Sequence, residues 1–278
     1  MEWMRAVQVL REKRQGGVLV TVMAVRGHSP RDAGAKMVVS EDRVWATVGG
    51  GNLEAVAIER ARGLLAAGSR EPEVLEFALS DKAPFQQAVQ CCGGEVKLLL
   101  EPLPVVPAVA IFGIGHVGLE LARILARHDL ELHLIDSRPD QLTPERLAVL
   151  DDAIAGVHVH HVPVLPELVV GELPPGTHAL IMTHDHAEDA ALCDAALRNG
   201  QLATIGLIGS RAKWARFRHK LAEDGNPAEA IDKITTPIGL PDLPGKEPAV
   251  IAVGVAAWLL QQFVAERNSA PVHREAEA

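Results

Sequence analysis

Up to residue 100 the apolar positions recur mainly with the two-residue period of strands. Residues 18–25 are rich in β-branched side chains. Residues 36–39 and 44–48 bracket Ser40-Glu41-Asp42-Arg43 as a hairpin, and 74–79 and 95–100 read as two further strands. One helix interrupts the series after Gly49-Gly50-Gly51. Asn52 reads as its N-cap, Leu53, Val56, Ala57, Ala61 and Leu64 form one apolar stripe, and Gly68 ends it. Residues 101–108 read EPLPVVPA, and three prolines in eight positions exclude a helix or a central strand. A linker is expected there.

Beyond it, strands and helices alternate. Residues 109–112 form a strand, followed by a glycine turn and a helix with Val117, Leu121, Ile124 and Leu125 on one side. Strands at 131–135, 157–162, 179–182 and 203–208 continue the series, with helices from about Ala187 and Ala212. Such alternation specifies a parallel sheet covered by helices on both faces. The fold class is therefore α/β, with a small β-rich α+β domain at 1–100, a linker at 101–108, a Rossmann-like doubly wound domain at 109–266 and a polar, frayed tail at 267–278.

Composition narrows the function. A net charge of −9 over 278 residues lacks the basic footprint of a nucleic-acid binder and argues against anionic membrane surfaces. The longest stretch without charges or histidines, 248–265, has an apolar part that stops at Leu260, short for a span, and reads as a buried helix. Three cysteines make no disulfide framework, and residues 1–10 carry Glu2 and Arg5 where a signal peptide needs an apolar segment. A reducing cytoplasm is the expected compartment. With no tyrosine in the chain, any mechanism that needs a tyrosine acid or base is excluded.

Five segments can carry chemistry. Gly113-Ile114-Gly115-His116-Val117-Gly118 follows a strand and opens a helix, so its backbone can accept a phosphate at the helix N-terminus. Asp136 ends the next strand, where a carboxylate can accept from ribose hydroxyls, and Arg138 reads as a solvated side chain. Gly49-Gly50-Gly51 is a second anion-binding turn, with Glu54 in the first helical turn. Cys91 and Cys92 precede Gly93 and Gly94. Adjacent cysteines lack the spacing of zinc or thioredoxin sites, but a thiolate on an open loop can bind a soft metal or carry sulfur. His184-Asp185-His186 lies at the carboxyl end of a strand. Ligand contact through His184 and Asp185 competes there with a helix cap at Asp185 and with metal ligation. Gly209-Ser210-Arg211-Ala212-Lys213 follows another strand: Ser210 caps the next helix, or Arg211 and Lys213 reach a phosphate. Cys193 reads as core, Arg31 and Lys36 as solvated cations, and His158, His160 and His161 receive no role.

Taken together, GHSPRDAGAKM at 27–37, GGGNLE at 49–54, CCGGEV at 91–96, FGIGHVG at 112–118, LIDSR at 134–138, MTHDHAED at 182–189, IGLIGSRAK at 205–213 and TPIGLPD at 236–242 resemble the xanthine dehydrogenase accessory protein family, also called the XdhC/CoxI family. They span nearly the whole chain. His28 departs from the small residue more usual in that family. The resemblance implies a non-catalytic chaperone that binds molybdopterin-type molybdenum cofactor as cargo, protects it, supports its sulfuration by a cysteine desulfurase, and passes it to an apo xanthine dehydrogenase-type hydroxylase. Cofactor contacts are expected at Gly49, Gly50, Gly51, Glu54, Cys92, Gly113, Gly115, His116, Gly118, Asp136, His184, Asp185, Ser210 and Arg211, with Cys92 at the molybdenum. The Rossmann turn is also a candidate seat for a nucleotide, and a homodimer is the expectation because homodimers are common. Two other readings compete: an NAD(P)-dependent oxidoreductase, resting on the glycine turn and Asp136, and a metal-dependent hydrolase, resting on His184 and His186.

Overall fold

A computed structural model of the chain describes residues 1–78 and 94–269. The chain divides into two compact units, Met1–Val105 with Ala265–Ala278, and Val106–Val264.

In the first unit, helix α1 (Glu2–Glu12) precedes strands β1 (Gly17–Arg26), β2 (Lys36–Val39) and β3 (Val44–Ala46). Helix α2 (Gly51–Ala66) and strands β4 (Glu73–Ala78) and β5 (Glu95–Leu103) follow. The sheet order is β3-β2-β1-β5-β4, and all neighbours are antiparallel. One face packs Val18, Val20, Met37, Leu98 and Leu100 against Leu53, Ala57, Ala61 and Leu64 of α2. The other face packs Val38 against Ala6 and Leu10 of α1. Burying a leucine contributes about 2 kcal/mol, so both layers matter to stability. Helix α1 was not anticipated, although Trp3, Ala6, Val7 and Leu10 recur at helical spacing and pack together beside Val38.

Three expectations for this unit are corrected. Asn52 does not cap α2; Gly50 does, at φ 73°, a backbone region that glycine enters without steric cost. Strand β3 stops at Ala46, whose φ of 61° breaks the extended run before Thr47 and Val48. The proline segment does enter a central strand, since Glu101, Pro102 and Leu103 pair with Leu19, Val18 and Gly17. Strand β4 reaches only Leu100, so beyond it β5 is a local edge where a missing proline N–H leaves no partner unsatisfied.

The second unit contains a six-stranded parallel sheet in the order β11-β10-β9-β6-β7-β8. Its strands are β6 (Ala108–Phe112), β7 (Glu131–Asp136), β8 (Gly156–His161), β9 (Thr177–Ile181), β10 (Thr204–Leu207) and the short β11 (Ile234–Thr235). Between them run α3 (His116–Leu125), α4 (Pro144–Leu147), α5 (His186–Asn199), α6 (Arg211–Glu223) and α7 (Ala228–Ile231), and α8 (Pro248–Ser269) closes the series. Strand β6 is buried on both sides. Val109 and Ile111 face Leu121 and Leu125 of α3 and Val255 and Leu259 of α8, while Ala110 and Phe112 face Leu192 and Cys193 of α5 and Phe217 of α6. Such two-sided burial is why parallel strands read as continuous apolar runs.

Helix α8 is buried on one side only. Ala252, Val255, Ala256, Leu259 and Phe263 lie in the core, whereas Val253 and Val264 are exposed. It continues past Arg267 to Ser269, where a frayed tail was expected. By length and composition alone it is apolar enough to cross a membrane.

Candidate functional site

In a doubly wound sheet, ligands bind beyond the carboxyl ends of the strands, where the winding reverses. Here the chain runs from β6 outward through β7 and β8, then returns to lay β9 on the other side of β6. The reversal therefore lies between β6 and β9, and both predicted loops meet there. Gly113, at φ 101°, is so close to the backbone of Met182 and Thr183 that a Cβ would stand 2.7 Å from the Thr183 Cα. A Cβ on Gly118 would collide with the Gly113 carbonyl oxygen, and that contact fixes the pitch of the turn against α3. Gly115 is the N-cap of α3, and His116, its first helical residue, is exposed. A helix start leaves N–H groups without intrahelical acceptors and directs a positive dipole end outward.

Asp136 is not available to ribose. Its side chain is 2% exposed, and four donors converge on it. The Ile114 N–H donates to Oδ2 at 2.7 Å, and the Arg138 N–H donates to Oδ1 at 2.9 Å. The Arg138 Nε donates to Oδ1 at 3.0 Å, and its Nη2 donates to Oδ2 at 2.9 Å. Burial alone pushes this carboxyl up, but the Arg138 side chain, the two backbone N–H groups and the guanidinium charge together hold it below the usual carboxylate range. Arg138 is correspondingly no free surface cation: its bonds to Asp136 raise its own pKa. A nicotinamide dinucleotide, which a turn of this type takes in its general form, thus finds no open ribose acceptor here.

Across the crevice, Asp185 caps α5, accepting from the N–H groups of Ala187 at 2.6 Å and Glu188 at 3.3 Å. His184 and His186 are exposed. Among the described residues, no three His, Cys, Asp or Glu side chains are grouped so as to hold a metal ion. Glu188 accepts from the Ser137 hydroxyl at 3.2 Å, and burial pushes its carboxyl up. Ser210 caps α6 by accepting from the Lys213 N–H at 3.2 Å, and Arg211 is exposed beside it.

Lys213 does not reach outward for a phosphate. Its Nζ turns inward to Asp189 Oδ2 at 2.5 Å and to the Ile208 carbonyl at 3.1 Å. Asp189, fully buried, also accepts from the Thr183 N–H at 3.0 Å and bonds the Thr183 hydroxyl at 2.7 Å. This pair ties the loop after β9 to the loop after β10. Sequence reasoning missed it; the one available signal was an acid in a first helical turn and a lysine three residues past a cap. Cys193 is buried as expected, and burial followed by the nearby Asp189 charge pushes its thiol up to about 12. His158 and His160 share one face of β8 and flank His133 of β7, with ring centroids 4.8 and 5.3 Å from it.

The first unit gathers a second set of predicted residues. The turn at Gly49-Gly50-Gly51 already holds an anion, the carboxylate of Glu54. Its Oε2 bonds the Thr47 hydroxyl and accepts from the N–H groups of Val48 and Gly50, both at 3.1 Å. A Cβ on Gly49 would stand 2.8 Å from Pro30 Cβ, and one on Gly94 would stand 2.6 Å from the Arg26 carbonyl oxygen. The segment at 26–31, the glycine turn and the start of β5 therefore converge. Lys36 is not solvated either, since it donates to Thr21 Oγ1 at 2.9 Å and lies over the Trp3 ring. Cys91 and Cys92, the latter the candidate metal contact, fall outside the described residues.

Comparison with known proteins places these units. The XdhC Rossmann domain model matches residues 109–259, and the XdhC and CoxI family model matches residues 10–78. YqeB of Escherichia coli (strain K12), described as uncharacterized, is 24% identical over 262 residues covering 94% of this chain. The chain spans 46% of that relative's length. The molybdenum cofactor insertion chaperone PaoD of the same organism is 26% identical over 255 residues, covering 81% of this chain and 77% of PaoD. A crystal structure described as a xanthine dehydrogenase from Bacillus halodurans is 19% identical, with 98% of each chain covered and a TM-score of 0.48.

Proposed function

We propose that this chain, which belongs to the XdhC and CoxI family, is a molybdenum cofactor-binding chaperone that matures a xanthine dehydrogenase-type hydroxylase. The observation that carries the reading is the meeting of the Gly113–Gly118 turn with Thr183 at the reversal of the sheet. The name of PaoD, a cofactor insertion chaperone, supports the same cargo. The cofactor bears a phosphate, to which the start of α3 presents its unbonded N–H groups and α6 its exposed Arg211. His184 and Asp185 border the same crevice. The cofactor also bears molybdenum with sulfur ligands, a soft centre suited to a thiolate, and Cys92 is assigned to it. Glu54 fills the donors of the Gly49-Gly50-Gly51 turn, which lies against the segment at 26–31.

In this reading the protein shields the cofactor in a reducing cytoplasm, presents it to a cysteine desulfurase for sulfuration, and delivers it as a homodimer to the apo-hydroxylase. The test is anaerobic mixing of purified protein with free molybdenum cofactor, followed by gel filtration. Molybdenum and pterin fluorescence are expected to co-elute with the protein. Elution of both in the small-molecule volume refutes the carrier role, and undiminished retention by Cys92→Ala removes that residue from the site.

A further inference from the structure

We infer that Arg138 is a specificity-determining residue that closes the Rossmann turn to a ribose diol, so that this chain does not take up NAD-type dinucleotides. A carboxylate offers about four acceptor positions, two on each oxygen. At Asp136 all four are filled by the Ile114 N–H, the Arg138 N–H and the Arg138 Nε and Nη2. A ribose diol needs two of them. The two backbone donors belong to the turn and to the end of β7 and cannot leave without unfolding the crevice. Only the guanidinium can vacate its positions, and its paired, charge-assisted bonds to one carboxylate are among the stronger kinds available to a side chain.

The guanidinium also borders the approach to the turn. Its Nη2 is the nearest atom to a Cβ built on Gly115, at 4.0 Å. Gly115 is the glycine at which a dinucleotide pyrophosphate would meet the backbone. Asp136 holds Arg138 beside it through the bonds from Nε and Nη2. The turn thus presents a cation where a site for the NAD ribose diol presents an open acid, and Asp136 serves as an internal anchor. This inference does not depend on the cargo assigned above.

The test titrates the full chain, free of molybdenum cofactor, with NAD+ and ADP-ribose by isothermal calorimetry. No saturable binding is expected for the unaltered protein. Arg138→Ala uncovers two acceptor positions on Asp136 and is expected to bind ADP-ribose saturably, at least about tenfold more tightly than the detection limit that bounds the unaltered chain, which corresponds to about 1.4 kcal/mol. Adding Asp136→Asn is expected to abolish that gain. Arg138→Lys, which keeps the charge but not the paired geometry, is expected to fall between, and thermal melts of each variant establish that it is folded. Saturable binding of NAD+ or ADP-ribose by the unaltered protein overturns the inference. Failure of folded Arg138→Ala and Arg138→Lys to gain any affinity overturns it as well, because Arg138 would then not be what closes the turn. Cofactor retention on gel filtration is read separately, so neither result decides the carrier role.

Discussion

Replacing Lys213 by methionine isolates the electrostatic part of the tether between the loops after β9 and β10. Methionine keeps most of the aliphatic stem, so little cavity forms and the change is mainly the loss of one charge. Asp189 is then left fully buried with no counter-ion. Breaking a buried pair from one side costs about 3–5 kcal/mol. Asp189 keeps its two bonds to Thr183, which places the expected loss near the low end, about 3 kcal/mol. With a urea slope of about 1–3 kcal/mol/M, the unfolding midpoint should fall by about 1 M or more. Far-UV circular dichroism follows the global transition. Hydrogen exchange at the Thr183 amide, which donates to Asp189, reports the crevice directly and should accelerate. Asp189→Asn alone should cost a similar amount, because it strands Lys213 on the Ile208 carbonyl and the Phe217 ring. The double variant should cost clearly less than the sum, with a coupling of about 2 kcal/mol. A midpoint shift below about 0.3 M for Lys213→Met, with Thr183 exchange unchanged, would refute the claim that this pair sets the loops, since shifts that small are typical of exposed sites.

Three further perturbations test other parts of the account. Glu54→Ala should destabilise the first unit by about 2 kcal/mol, the usual scale for bonds to a charged acceptor, with Glu54→Gln recovering part of it; equal melting temperatures for all three proteins would contradict the anion-filled turn. Gly118→Ala should cost at least about 3 kcal/mol, because the added methyl meets the Gly113 carbonyl, which cannot yield as a side chain would; a soluble variant melting like the parent is the contrary result. His178 is buried and burial pushes its imidazole down to about 4 from an ordinary value of 6.5, so between those values the unfolded chain binds a proton that the native chain refuses. Stability should therefore decline as pH falls through that window, by up to about 3 kcal/mol, and His178→Gln should flatten the slope in urea titrations at pH 7 and pH 4.5.

Much of the fold was legible because burial leaves a strong trace. Strand β6 reads AVAIF and is buried at every position, so its identity as a parallel core strand needed no partner information. The trace weakens where polar groups are buried. Strand β9 begins at Thr177 and His178, whose side chains bond Pro174 and Thr204, and a reading that equates polarity with exposure starts the strand two residues late. The two-residue β11 buries too few side chains to leave a periodic signal, whereas Trp3, Ala6, Val7 and Leu10 of α1 recur at helical spacing and were legible in the sequence. Pro102 misled for the opposite reason: the rule against proline in central strands is a rule about donors, and β5 loses its second neighbour just before that residue.

The candidate site was legible as a set of loops but not as a set of partners. Glycine spacing reports that backbones approach closely, and Gly113, Gly118, Gly49 and Gly94 all do so. It does not report what fills the space that the approach creates. At both anion-binding turns that space holds a carboxylate from the chain itself, Glu54 in one unit and Asp136 in the other. The pairing matters because the two carboxylates differ in what they leave open. Glu54 engages the N–H groups of Val48 and Gly50, and with them the body of its turn. Of the Rossmann turn's own N–H groups, Asp136 engages that of Ile114, and the Gly115 end of the turn and the start of α3 face the crevice. Of the two glycine turns, then, the second retains the backbone donors that a phosphorylated ligand requires, and Arg138 decides which such ligands can reach them.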